Sequence, residues 1–414
     1  MDSVLDDIRV LDVSGVIGHY SGYLLADLGA DVIKVEPPEG DPSRYWPPLL
    51  PGAPEGEAGL TFLLLNANKR GIVLDLERDH GREAFRRLVA DADVLVESWS
   101  VAESERLGFT PEALRALNPG LIHASVTPWG RSGPNAGAPA ADMVAVAQAG
   151  LMHLNGLADG PPRNLPDHQG YHCASIDAAA GIMAALLHRD ATGDGQLVEV
   201  SMQEAMLIAQ ETAMQQADIL GTDRTRLGGL RPAGFKMPGL GIYDTADGVI
   251  FAMCSGNAGA GFPGLVELMA ELDGAGPIHE EPLRSFALTS MNAGQLAIRI
   301  QDSADAAGIL DTLARIEEIV AAFFRGHPTQ ELYERGQQGR VLLGPVNTPA
   351  DVSADVQLEA REWFREVPDP GRGRTLRYPG APWKFERNAT GVRRPAPRLG
   401  EHTREVLEAA GIAS

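Results

Sequence analysis

The chain has 414 residues, 44% of them apolar, which is enough to bury more than one core, so at least two domains are expected. Aromatic content is only 6%, and no uninterrupted apolar run approaches the ~20 residues of a membrane helix. The formal charge of -21, without a basic stripe, argues against nucleic acid as a partner, because nothing would release counterions from a phosphate backbone.

The acidic start, Met1 to Asp7, lacks the basic and apolar regions of an export signal, and a cytoplasmic protein is expected. Cys173 and Cys254 are the only cysteines, without metal-ligand spacing and too few for a disulfide framework, so no metal is expected.

In chain order, Ile8 to Val13 reads as a strand, Tyr20 to Leu28 as an apolar helix and Ala30 to Val35 as a second strand. Gly71 to Leu76 reads as a strand, Gly81 to Ala90 as a helix, and Asp93 to Glu97 and Leu121 to Val126 as two further strands. Short apolar strands separated by helices predict a parallel sheet covered on both faces, with ligands beyond the carboxyl ends of the strands. No G-x-G-x-x-G follows the first strand, where Gly15 to His19 forms a different turn, which weighs against a nicotinamide cofactor.

Asp177 to Leu187 is Ala-rich and predicts a buried helix ending near Thr192-Gly193. A strand, Leu197 to Ser201, and a long helix, Met202 to about Leu220, are predicted to follow and lead out of the first domain. Thr225 to Gly326 reads as a second block with a hairpin across Asp244 to Gly248. Val341 to Val346 reads as a return to the first pattern, before a final helix, His402 to Ala410, stopped by Gly411. The expected division is 1–200 with 331–414 as a large domain, 201–224 as a linker helix and 225–330 as a small α/β domain.

The run Gly29 to Arg44, with Asn66-Ala67-Asn68-Lys69-Arg70, Ala92 to Glu97, Asp159-Gly160-Pro161-Pro162, Thr192 to Gln196 and Leu399 to Thr403, resembles the type III CoA-transferase family (CaiB/BaiF) along essentially the whole chain. The resemblance implies a Rossmann-like large domain from both chain ends, a small domain between, and two chains interlocked as a dimer. It also implies a coenzyme A thioester as substrate and no covalently bound cofactor. In such enzymes an aspartate carboxylate attacks the thioester, giving a mixed anhydride and free CoA thiolate.

Aligned without a gap to formyl-CoA transferase, the family's nucleophile falls on Tyr171, directly after Gly170. A phenol with an ordinary pKa near ~10 is neutral at pH 7 and cannot start anhydride chemistry. Asp167 and Asp177 are nearby acids, of which Asp167 is the substitute to weigh; His168 and His172 flank the same loop and could act as acid or base, or simply bond to backbone or water. The histidine of the related α-methylacyl-CoA racemases falls near Ala141, so that chemistry also lacks its groups.

The resemblance places CoA-binding positions at Val16, Leu74, Arg106 and Met202. Ile17 stands where the family keeps a glutamine, and Pro38 where it keeps an arginine. Trp99 lies in Ser98-Trp99-Ser100 and offers either an adenine platform or core packing. Lys69 and Arg70 either fix their loop or reach CoA phosphate, and the turn Gly228-Gly229 with Arg231 to Gly234 could line the substrate mouth.

The expected function is a CoA-transferase subunit lacking the catalytic aspartate, partnered by a homologous chain that carries it, as in the succinyl-CoA:benzylsuccinate type. Two alternatives stand beside it: a self-sufficient CoA-transferase or acyl-CoA isomerase using Asp167 or His172, and a CoA-thioester-binding protein without turnover.

Overall fold

The computed structural model describes residues 3–157, 160–226, 236–255, 259–274, 276–302 and 304–412. Asp159 of the Asp159-to-Pro162 motif and the turn at Gly228-Gly229 and Arg231 to Gly234 lie outside them.

Two compact units divide the chain: Met1–His153 with Asn164–Asp223 and Val356–Ser414, and Leu154–Arg163 with Arg224–Asp355. The first is built on six parallel strands: β1 (Arg9–Asp12), β2 (Asp31–Glu36), β3 (Arg70–Val73), β4 (Val94–Glu97), β5 (Ile122–Thr127) and β6 (Gln196–Ser201). Their order, β3-β2-β1-β4-β5-β6, is the Rossmann order, with its reversal between β1 and β4.

Alternation along the strands sorts side chains to two faces. Val10, Val32, Val94 and Ile122 pack on one side with Ala174, Ala178 and Ile182, whereas Leu11, Ile33, Ile72 and Leu95 pack on the other with Phe85, Leu88 and Phe109. The helices around this sheet include α1 (Val16–Asp27), α2 (Leu60–Leu65), α3 (Asp79–Ala90), α4 (Val101–Leu107), α5 (Pro111–Leu117), α6 (Asp142–Gln148), α7 (Leu151–Leu154), α8 (Gln169–Thr192) and α9 (Met202–Leu207).

The expected helix at Asp177 to Leu187 is the middle of α8, which begins at Gln169. By length and apolar content α8 could cross a bilayer, but Ala174, Ala178, Ile182 and Ala185, at spacings of three and four, seat it in the core. Its other face is exposed: Ile176, Asp177 and Leu187 point outward, so Asp177 is on the open side of a helix expected to be buried.

Three expectations change. Met202 to Leu220 is not one helix: α9 passes into a 3-10 turn, Ile208–Gln210, and breaks at Glu211, whose φ of 52° is left-handed, before Ala213–Leu220. These helices belong to the first unit rather than to a linker. The strand at Val341 to Val346 does not rejoin the parallel sheet; as β9 (Leu343–Pro345) it pairs antiparallel with β8 (Val249–Met253), itself paired with β7 (Leu240–Asp244). Residues 331–355 therefore belong to the second unit, where Leu332, Val341 and Leu343 pack with Phe324 and Ile250. A hairpin, β10 (Arg365–Asp369) and β11 (Arg374–Tyr378), adds a second antiparallel sheet.

Candidate active site

The loops after β1 and β4 meet where the sheet order reverses: the Gly15 N–H donates to Ser98 Oγ at 2.8 Å. That turn opens α1 and sets Val16 at the site. It is held from beneath by buried ions. Lys69 Nζ donates to Asp12 Oδ2 at 2.7 Å, to the His19 carbonyl at 2.9 Å and to Asn66 Oδ1 at 3.0 Å. Lys34 Nζ donates to the Ser14 carbonyl at 2.5 Å and lies 3.5 Å from Asp41 Oδ2.

His19 Nε2 is 3.1 Å from the Ser14 carbonyl and 3.0 Å from Asp41 Oδ2. Arg44 grips Glu36 with two bonds of 2.7 Å. An added Cβ at Gly22 would lie 2.6 Å from Asp12 Oδ2, so glycine is what lets α1 pass over the Asp12–Lys69 pair. Burial would raise the Asp12 carboxyl, but Lys69, Lys34 and His19 hold it down to about 2. Burial pushes His19 toward neutrality, with Lys34 adding to it.

Lys69 is thus fully buried and engaged with its own loop. Arg70 bonds Asp31 at 2.8 and 2.5 Å and Glu405 at 3.0 Å. Two of the motifs that carry the family resemblance, Gly29 to Arg44 and Asn66 to Arg70, therefore help build the frame of the site.

Above this frame lies a cavity of about 300 Å³. It is lined by the aliphatic residues Val16, Pro47, Pro48, Leu60, Leu64 and Leu65 with Thr61 among them, and by Asp167, His168, Tyr171 and His172. Four of the residues singled out in the sequence as catalytic or flanking thus share one cavity with Val16.

Tyr171 sits in the first turn of α8, half-buried. Its N–H donates to Asp142 Oδ1 at 3.1 Å, and its phenol oxygen accepts from the Asp142 N–H, also at 3.1 Å. Burial raises the phenol above its ordinary value, so it is neutral at pH 7. Its ring stacks on His168 at 5.2 Å, and Trp46 lies against His168 at 5.6 Å. A side chain at Gly170 would meet Asp142 Oδ1 at 2.8 Å and Met202 Sδ at 3.0 Å, so the residue before Tyr171 must be small.

Asp167 is exposed, with a left-handed φ of 56°. His172 meets Tyr20 edge-on at 5.2 Å, and burial, then His168, lowers its pKa.

Among the expected CoA positions, only Val16 lines this cavity. Ile17 is buried and its carbonyl accepts from Ser175 Oγ at 2.8 Å, and Met202 is fully buried against Gly170. Leu74 lies in the core on the opposite face of the sheet. Trp99 is 7% exposed, stacked on Phe109 at 5.8 Å and edge-on to Phe85 at 6.1 Å, the packing alternative drawn from the sequence. Arg106 is solvent-exposed and paired with Glu77, at 2.9 Å through Nη2.

Asp142 was missed. Its signal, an acid opening an apolar helix, marks a helix start, and nothing local shows that its carboxylate reaches residue 171.

A doubly wound α/β unit with its cavity at the strand-order reversal defines a small-ligand-handling protein of the Rossmann-like class. The model of CoA-transferase family III matches residues 5–403, and the chain belongs to that family. Succinyl-CoA:(R)-benzylsuccinate CoA-transferase subunit BbsE of Thauera aromatica is 36% identical over 406 residues, 97% of this chain and 93% of the relative. Succinyl-CoA:mesaconate CoA-transferase of Haloarcula hispanica is 33% identical, covering 99% of this chain and 97% of its own. A crystal structure of a CaiB/BaiF family protein from Brucella suis superposes with a TM-score of 0.83 at 26% identity, covering 99% of this chain and 100% of that one. The protein is accordingly a family III CoA-transferase acting on acyl-CoA.

Proposed function

We propose that this chain is the non-nucleophilic subunit of a heteromeric CoA-transferase, working in the cytoplasm with a homologous chain that supplies the attacking aspartate. The observation that carries the reading is the state of Tyr171. Its oxygen is neutral and spends a lone pair on the Asp142 N–H, so no carboxylate anion stands at the position expected of the nucleophile. The similarity to a protein named as one subunit of a transferase supports it further.

A second reading is favoured by the placement of one acid. Asp167 lines the same cavity as Tyr171, with His168 and His172 beside it, which would suit a self-sufficient transferase or isomerase. A chain that binds the CoA thioester without turnover is the remaining reading.

The deciding experiment is turnover of acyl-CoA panels by the purified full-length chain and by the chain co-expressed with a homologous subunit carrying the aspartate. Expected are no turnover by the chain alone and transferase activity in the pair, abolished when the partner's aspartate becomes alanine. Turnover by the chain alone that disappears in Asp167→Ala would overturn the subunit role and establish the second reading.

A further inference from the structure

We infer that the cavity beside Tyr171 takes the acyl group of a CoA thioester that is apolar and carries no second carboxylate. This rests on the reading of the cavity as a CoA-thioester site.

The first ground is charge. Among the described residues no Lys or Arg lines the cavity, so a distal carboxylate entering it would find no cation there to replace its water. Three buried cations of the same unit are already committed to other partners: Lys69 to Asp12, Lys34 to Ser14 and Asp41, and Arg44 to Glu36. Asp167, the one acid among the described lining residues, would repel a second anion. Burial lowers the pKa of His172 and so withholds a compensating positive charge there at neutral pH.

The second ground is surface. Leu60, Leu64 and Leu65 with Pro47, Pro48 and Val16 make most of the lining aliphatic, interrupted by Thr61, and Tyr171 borders the same space. A volume of about 300 Å³ falls at the small end of ligand pockets, fitting an acyl group rather than the whole thioester. An apolar acyl group gains from leaving water there, and a carboxylated one loses its hydration.

The test is titration calorimetry of the full-length chain with three probes: CoA, succinyl-CoA and 4-methylpentanoyl-CoA, in which a branched methyl pair replaces the distal carboxylate at similar size. The apolar thioester is expected to bind at least about tenfold tighter than succinyl-CoA. Leu60→Arg, at a position already 37% exposed and so tolerant of a long side chain, is expected to narrow or reverse that ratio by supplying the missing cation. Equal or tighter binding of succinyl-CoA by the unaltered chain overturns the inference, as does finding that neither thioester binds more tightly than CoA. The unaltered chain decides the matter even where the variant fails to fold. Binding heats are read without turnover, so this outcome is separate from that of the subunit role.

Discussion

Tyr171 and Asp142 each hold the other's helix start: the phenol oxygen accepts from the Asp142 N–H and the Asp142 carboxylate accepts from the Tyr171 N–H, both at 3.1 Å. The tyrosine thus couples α6 to α8 at the mouth of the cavity. Tyr171→Phe leaves a backbone donor at the start of α6 without its partner and should destabilise the chain by about 1–3 kcal/mol. Urea denaturation checks this; an unchanged midpoint would mean that the phenol oxygen is not a structural acceptor.

Restoring an aspartate at 171 is not sufficient on the same geometry. Tyr171→Asp sets a carboxylate close to the buried Asp142 carboxylate, and like charges in one site raise one of the two pKa values. Any activity gained by the single variant should titrate in with a midpoint at least about one pH unit above that of Tyr171→Asp with Asp142→Asn. Matching pH–rate profiles for the two would dismiss the coupling.

The buried Asp12–Lys69 pair makes a sharper demand on stability. Lys69→Met leaves the Asp12 carboxylate in the core without its closest cation, a loss of about 3–5 kcal/mol. In the native chain the folded-state pKa of Asp12 is about 2 against an ordinary 3.8, so its contribution is present above that ordinary value and is lost as pH falls toward 2. With Lys69 removed, burial dominates, the carboxyl moves upward, and the deficit should shrink on acidification. A deficit independent of pH between neutrality and pH 4 would rule this out.

Much of this architecture is legible in the sequence because it is local. The short β-branched runs at Ile8 to Val13 and Ala30 to Val35 place β1 and β2 within a residue or two, since strands covered on both faces are buried nearly throughout. The strand at Val341 to Val346 is also legible as a strand, but its partner is not: a short apolar run carries no mark of which sheet will accept it, and β8 took it in antiparallel. The break at Glu211 was hidden because no Gly or Pro announces it. At the site, Tyr171, Asp167 and the two histidines were near in sequence and so were found together. Asp142, 29 residues away from Tyr171, required the fold.

Asp27 runs opposite to Asp12 and gives the chain a second pH signature. Burial pushes its carboxyl up to about 6 from 3.8, against the Tyr23 hydroxyl, the Asn68 amide and the Arg393 guanidinium. The folded chain therefore keeps this proton over a range where the unfolded chain has released it. Stability from this group is full below about pH 4 and falls as pH rises through 6, by roughly 3 kcal/mol in total. Asp27→Asn keeps an oxygen for Asn68 Nδ2, which donates to Oδ1 at 2.8 Å, and removes the titration. The variant should be more stable than the native chain above pH 7 and should lose the decline between pH 4 and 6, as read from denaturation midpoints across that range. An identical decline in Asp27→Asn would assign the slope to other groups, because a side chain that cannot ionise cannot contribute to it.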